Sequence, residues 1–339
     1  MCYSHPAYWC NVLRLGFFGF GAIGRLAAMV ALDRGHEIAG VVDIDPRIIG
    51  LDAGEALGLG EKLGVTVSSN VEALKDSDVV VHATGSFLDK VYDQLTSIVN
   101  LGVDVVSTCE TLAYPWYRYP VLARRLDEAA RRYNVAVIGT GINPGFLLDT
   151  LIVALTAPFN IVKTVRAVRS LNAATRREPF RKKIGVGEDP KTVAYKLEKG
   201  EITGHVGYAE SVLLVADAAG IQLTKVHEAQ EPVIAGEDIE SGGIRVARGY
   251  NKGIRGYGAG YLGEREVIRV EFQAYVGAED YEEITIEGRD YTVKWRSTGT
   301  PGDMGTASVV ISVAETLGDY GPGLLTMIDM LPFRPLIKR

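Results

Sequence analysis

Cysteine is scarce in this 339-residue chain: Cys2, Cys10 and Cys109 are all it has. They form neither a paired disulfide framework nor a zinc-ligand spacing, so no metal is expected and a reducing, cytoplasmic location is. Charge of one sign is missing as well. The 36 basic and 42 acidic residues are intermixed and leave a net −6. That excludes nucleic acid and an anionic membrane surface as expected partners. Long apolar runs are absent too: residues 147–157, among the longest, are interrupted by Asp149 and too short to cross a bilayer. Glutamine and asparagine number four and eight, a scarcity shared with thermophile proteins. Residues 1–11 lack the basic start of a signal peptide and read as a disordered tail or an over-extended start. The remainder, 47% hydrophobic and 23% charged, is ordinary globular composition, at a length sufficient for two cored domains.

What is present is concentrated near the start. An apolar run of strand length, residues 12–18, leads into Gly19-Phe20-Gly21-Ala22-Ile23-Gly24. Residues 25–32 are apolar at helical spacing and are closed by Gly35; a second strand, residues 38–42, ends in Asp43. Strand, glycine motif, helix, strand and acid make the dinucleotide-binding fingerprint in its required setting. Gly19 allows the tight turn, Gly21 the approach of a pyrophosphate, and Gly24 the packing of helix on strand. Ala22 and Ile23 open the helix, whose free N–H groups and dipole favour phosphate. Asp43 can accept hydrogen bonds from the adenosine ribose hydroxyls, which favours NAD. Ile44 and Arg47 share its turn, and an arginine there leaves NADP open.

Residues 1–145 alternate strand and helix, with strands expected at 13–18, 38–42, 65–67, 79–83, 103–107 and 135–138. Helices are expected at 87–100 and 121–133. The pattern predicts an α/β fold whose first domain is a doubly wound, parallel Rossmann sheet. Such sheets bind ligands beyond the carboxyl ends of their strands, which singles out Ala83-Thr84-Gly85, Thr108-Cys109-Glu110 and residues 140–145. Residues 146–302 change character. A long strand at 161–171 and helices at 190–199 and 210–219 precede Val-, Ile- and Tyr-rich strands between 226 and 295. They predict a second, α+β domain with a mixed or antiparallel sheet, for substrate binding and homodimer formation. A helix at 305–317 begins a final segment, 303–339, expected to return to the first domain.

Glu110 is placed for acid–base work beside a nicotinamide, or equally for a helix cap or a surface ion pair. Cys109 has no activating base near it in sequence and reads as a small buried side chain. Asn143 stands in a turn with a Pro-Gly pair. It offers a donor and an acceptor to the nicotinamide carboxamide or to a substrate, unless it bonds only its own backbone. His205, between Gly204 and Gly207, is a candidate substrate contact, although a lone histidine is more often structural. Arg166, Arg169, Arg176 and Arg177 cluster around the long strand. Arg169 and Arg176 are the candidates for binding a substrate carboxylate, with solvated charge as the alternative.

The blocks Gly-Phe-Gly-Ala-Ile-Gly-Arg, Val-Asp-Ile-Asp-Pro, Ser-Thr-Cys-Glu, Thr-Gly-Ile-Asn-Pro-Gly-Phe, Gly-His-Val-Gly and Pro-Gly-Leu-Leu-Thr-Met run from Gly19 to Met327. Their combination resembles the 2,4-diaminopentanoate dehydrogenase family, related in fold to dihydrodipicolinate reductase. The resemblance implies an NAD(P)-dependent amine dehydrogenase that reversibly deaminates an amine or diamino acid to a ketone, releasing ammonia. Glu110 would be its catalytic acid–base residue. An alcohol or semialdehyde dehydrogenase, like homoserine dehydrogenase, is the competing reading. Dihydrodipicolinate reductases resemble His-His-x-x-Lys-x-Asp-Ala-Pro-Ser-Gly-Thr-Ala in the long-strand region. This chain has Leu171-Asn172-Ala173-Ala174-Thr175-Arg176-Arg177-Glu178-Pro179-Phe180 there, which reduces an imine-reductase reading to kinship of fold. A non-enzymatic NAD(H) sensor finds no helix-turn-helix and no basic face to signal through. Thr111 follows Glu110 where the resemblance leads one to expect a second acid.

Overall fold

The computed structural model describes residues 12–332 and 335–337. The reading of residues 1–11 falls outside that range. The chain forms two compact units, one of Met1–Gly141 with Asp303–Leu325, the other of Ile142–Gly302 with Thr326–Arg339.

The first unit is built on β1 (Arg14–Phe18), β2 (Glu37–Val42), β3 (Val67–Ser68), β4 (Val79–His82), β5 (Asp104–Ser107) and β6 (Ala136–Gly139). A seventh strand, Gly323–Leu325, joins from the C-terminal segment. The order is Gly323–Leu325, β6, β5, β4, β1, β2, β3, and every pairing is parallel. Val79, Val80 and Val81 are buried in succession, as strands covered on both faces require. The intervening helices bury one stripe each. In Leu88–Val99 the stripe is Leu88, Val91, Leu95, Ile98 and Val99, spaced by three and four residues. β3 begins at Val67 rather than at residue 65, because Thr66 forms an antiparallel bridge with Asp52 instead.

The second unit contains β7 (Val162–Asn172), β8 (Lys225–Ile234), β9 (Ile239–Ser241), β10 (Ile244–Val246), β11 (Asn251–Leu262), β12 (Arg265–Tyr275), β13 (Tyr281–Gly288) and β14 (Thr292–Arg296). β9 and β10 pair with each other. The rest form one sheet in the order β14-β13-β7-β12-β11-β8. It is mixed, since β7 and β12 run parallel and all other neighbours antiparallel.

Gly256, Gly258 and Gly260 alternate along β11 and so share one face. A Cβ at Gly258 would lie 2.6 Å from the Tyr208 carbonyl oxygen, and one at Gly260 would lie 2.7 Å from Leu223 Cδ1. Their bare backbone lets helix Tyr208–Ala218 lie directly on the sheet. The opposite face carries Arg255, Tyr257, Arg269 and Glu271. Arg269 sits 4.1 Å from the Tyr257 ring centroid and 2.5 Å from Glu271.

The final segment departs from expectation. Its return to the first unit stops at Leu325, and Thr326–Arg339 belongs to the second unit. Asp329 Oδ2 accepts the Thr326 N–H at 2.8 Å in a capping box, which turns the chain into the short helix Met327–Met330. Met327 and Ile328 of that turn are buried.

Candidate functional site

Three segments meet at the carboxyl end of β1. Gly19, at φ +92°, donates its N–H to Val42 O at 2.8 Å, and a Cβ there would stand 2.6 Å from Ala83 O. Gly24 packs directly on the Gly19 carbonyl. Around Gly21, by contrast, nothing lies within 4 Å of an added Cβ. Gly21 and Ala22 are exposed and Ile23 is half-buried. Helix Ala22–Asp33 has no side-chain cap, so its first-turn N–H groups are directed at the open loop. The cradle suits a pyrophosphate.

Asp43 reaches back to this loop: its Oδ2 accepts the Phe20 N–H at 2.5 Å and its Oδ1 accepts the Asp45 N–H at 2.8 Å. It fixes the glycine turn while keeping a carboxylate at the end of β2. Ile44 is exposed. Arg47 is folded onto Asp45, with Nη2 2.7 Å and Nε 2.9 Å from the two carboxylate oxygens, and holds that carboxyl down to about 2.

Glu110 stands on a single turn, Glu110–Ala113, immediately beyond β5, and is half-buried. A Cβ at Gly139, the last residue of β6, would lie 2.7 Å from the Ala113 nitrogen. The bare end of β6 is what admits the turn. Thr111 ties it on the other side: its Oγ1 accepts the Leu88 N–H at 2.8 Å and its N–H donates to Ser86 O at 3.1 Å. That is the work done at the position where a second acid was expected. Cys109 is buried, and burial pushes its thiol up to about 12, so it is a core side chain and no nucleophile. Beside the turn, Ala83 N donates to Phe18 O, and Thr84 Oγ1 donates to Gln94 Oε1 at 2.5 Å. Gly85 follows in the same turn and is half-buried.

In the second unit, two clusters that are separate in sequence form one. Asn143 precedes a cis proline, and its Nδ2 lies 3.1 Å from His205 Nε2. Gly207, at φ +112°, brings its backbone so close to Pro144 that a Cβ would stand 2.5 Å from the ring. The His205 ring stacks on Phe272 at 4.3 Å and meets Tyr208 edge-on at 4.7 Å. Its backbone N–H donates to Gln230 Oε1 at 3.0 Å. Burial, with the Lys183 and Arg169 charges nearby, holds the imidazole pKa well below its ordinary value. His205 is neutral, and Asn143 Oδ1 is left buried without a hydrogen-bond partner among the described residues.

The sheet register explains this grouping. Gln230, Gly256, Phe272, Arg169 and Glu282 are successive partners across β8, β11, β12, β7 and β13. They form one rung on the face under helix Tyr208–Ala218. Arg169 on this rung is buried and ion-paired with Glu282, Nε to Oε1 at 3.3 Å, while its Nη2 donates to Thr300 O at 3.1 Å. Glu282 also accepts the Thr300 N–H at 3.1 Å and binds the Ser297 hydroxyl. This guanidinium is engaged in holding residues 297–300, not presented as an open clamp. Arg176 is half-buried over the Phe180 ring and packs against Gly302. Arg166 is exposed on the opposite face, 3.8 Å from Glu271. Of the arginines clustered in sequence, Arg166 is set apart on the other face, while Arg169 and Arg176 both bring Nη2 close to where a Cβ at Gly302 would stand.

Asp149 is a buried anchor of the Pro144 turn that sequence reasoning missed. It is fully buried and accepts the Gly145 and Thr150 N–H groups at 2.9 and 2.6 Å and the Ser211 hydroxyl at 2.7 Å, so it fixes the turn after Pro144. Its position as the cap of helix Thr150–Leu155, four residues after a Pro-Gly pair, was the available signal. Among the described residues no cluster of ligating side chains could hold a metal ion, and no helix is long and apolar enough to cross a membrane.

Comparison with known proteins gives these groupings a context. Residues 146–338 match the family model of the 2,4-diaminopentanoate dehydrogenase C-terminal domain. The chain is 28% identical to a 2,4-diaminopentanoate dehydrogenase of Acetoanaerobium sticklandii over 326 residues, 92% of this chain and 91% of that one. It is 23% identical to an amine dehydrogenase of Streptomyces virginiae, over 95% of this chain and 97% of the relative. An amine dehydrogenase structure from Mycobacterium smegmatis superposes with a TM-score of 0.83 at 25% identity, covering 98% of this chain and 99% of that chain. The parallel Rossmann sheet, the mixed second sheet and full-length likeness to dehydrogenases agree, and the chain belongs to the 2,4-diaminopentanoate dehydrogenase family.

Proposed function

We propose that the protein reversibly deaminates a small amine or diamino acid to a ketone and ammonia, NAD(P)-dependently, with Glu110 as the acid–base residue. One observation carries this reading: Glu110 lies half-buried past the carboxyl end of β5, in a chain alike over nearly its whole length to amine dehydrogenases. An alkylammonium has a pKa near ~10 and must lose a proton before hydride can leave its carbon. The Glu110 carboxylate holds the ammonium, takes that proton, and faces the cationic iminium that forms. In the reverse direction it positions ammonia and serves dehydration of the carbinolamine. The nicotinamide, when bound, supplies the redox chemistry. Gly19, Gly21 and the N–H groups of Ala22 and Ile23 would hold its pyrophosphate, and Asp43 its ribose. Asn143, His205 and Arg176 are the proposed polar contacts of the second unit, the neutral His205 orienting the Asn143 amide. Arg169 contributes by fixing residues 297–300.

The test is NADH oxidation against a panel of ketones and keto acids, each with and without ammonium. Oxidation is expected only with both present; a rate independent of ammonium would instead mark an alcohol or semialdehyde dehydrogenase.

The cofactor preference follows from two carboxylates at the end of β2 and an arginine already engaged by one of them. NAD(H) is expected to bind at least as tightly as NADP(H), and Asp43→Ala should weaken NAD more than NADP. Titration by fluorescence quenching decides it. A wild-type preference for NADP that survives Asp43→Ala would overturn the assignment.

The sheet face bearing Tyr257, Arg269 and Glu271 is where we expect a closed homodimer to form, since interlaced cations, acids and rings on a two-fold axis can meet their own complements. Light scattering at micromolar concentration should give twice the chain mass. A monomer contradicts it.

A further inference from the structure

We propose that His82, acting through Ser107, is a positioning residue for Glu110; the inference rests on the acid–base role given to Glu110 above. β4 and β5 end side by side with His82 opposite Ser107, and both side chains are fully buried. His82 Nδ1 lies 2.8 Å from Ser107 Oγ, and His82 Nε2 lies 2.9 Å from Gln94 Oε1. Ser107 Oγ accepts the Cys109 N–H at 3.1 Å, while the Thr108 N–H donates to the His82 carbonyl at 2.9 Å. Both residues that lead into Glu110 are thus held by His82, one through its backbone and one through its ring.

Donor and acceptor chemistry fixes the direction of each bond. Ser107 Oγ accepts from Cys109 and still has its own hydrogen to give, which His82 Nδ1 accepts when Nε2 carries the ring hydrogen. Gln94 Oε1 is a carbonyl and only accepts. His82 Nε2 therefore carries the ring hydrogen, and Thr84 Oγ1 donates to the same oxygen at 2.5 Å. A single neutral tautomer satisfies every link. Burial keeps the ring in that form, with its pKa down at about 4. The ring joins the dinucleotide turn at Thr84 to the turn bearing Glu110. Past Glu110, Thr111 is held by Ser86 and Leu88, so the carboxylate sits between two anchored neighbours. Packing alone would be served by another aliphatic side chain after Val79, Val80 and Val81. A buried imidazole costs desolvation, and what it supplies in return is geometry.

Ser107→Ala and His82→Gln cut the link to Cys109 from its two ends. His82→Asn keeps an acceptor where Nδ1 stood. With an α-deuterated amine used to show that hydride transfer limits turnover, Ser107→Ala and His82→Gln are expected to lower kcat about 10- to 100-fold, the scale of a ~1 Å misplacement. The NADH Kd should stay within about twofold, and His82→Asn should recover most of the lost kcat, a pattern that a merely structural role would not give. In a Glu110→Gln background Ser107→Ala should cost nothing further, because it acts through that carboxylate. Should one of the two cuts fail to fold, the other reads the same link, and Ser107→Cys reads it at smaller amplitude. Wild-type kcat in the folded variants overturns the inference, as does a loss fully additive with Glu110→Gln. A silent Glu110→Gln overturns instead the acid–base role itself.

Discussion

Glu110→Gln should reduce deamination turnover by ~10²–10⁴-fold, a barrier increase of roughly 3–5 kcal/mol, while the dinucleotide still binds. The substitution keeps the side chain's shape and removes its charge and basicity. The backbone of the turn should not move, since its anchors are the Cys109 N–H on Ser107 and the two Thr111 contacts with Ser86 and Leu88. The contacts proposed for NADH are on other residues, the glycine loop and Asp43, so its Kd should hardly change. The signature is a collapse of kcat at constant cofactor affinity, measured where an isotope effect shows chemistry to be rate-limiting. Retention of more than about a tenth of wild-type turnover would place the base elsewhere. His205 would then be the next candidate, but a poor one. Burial and the neighbouring cations that keep it neutral also make it reluctant to take a proton.

How much of this was legible in the sequence depends on how local each feature is. The first unit is a chain of local signals: a glycine motif between strand and helix, β-branched runs, and an acid at a strand end. The rule that ligands gather past the strand ends singled out the loop carrying Glu110, and only the family resemblance gave that residue an acid–base role. The second unit depends on register. Phe272, Arg169 and Glu282 are neighbours because β12, β7 and β13 align at that rung, and nothing near any one of them in sequence says so. Arg166 is a different kind of miss, because it stands apart from Arg169 and Arg176. Arg166 and Arg169 are separated by an odd number on one strand and must project to opposite faces, which the alternation already implied. The same holds for Gly256, Gly258 and Gly260, whose two-residue spacing marks a sheet face cleared for a helix. Thr111 needed the structure, because its partner Leu88 begins a helix 23 residues earlier.

Arg169→Met should destabilise the protein by roughly 3–5 kcal/mol, because it leaves the Glu282 carboxylate buried without its cation. Arg169 is 3% exposed and its side chain lies against one that is equally enclosed, so water cannot take over the charge. Against a total stability of ~5–15 kcal/mol for a typical domain, that is a large fraction. Adding Glu282→Gln to Arg169→Met should recover much of the loss. The amide removes the stranded charge and keeps an oxygen for the Thr300 N–H, which Glu282 accepts at 3.1 Å. Denaturant titration of the single and double variants reads the difference directly, as a midpoint that falls and then returns. A carboxylate-binding arginine would behave otherwise: Arg169→Met would raise the KM for a diamino acid and leave the midpoint where it was. Glu282→Gln would then give no recovery, since there would be no buried charge to relieve. The double variant therefore separates an arginine that builds the wall of the site from one that reads the substrate.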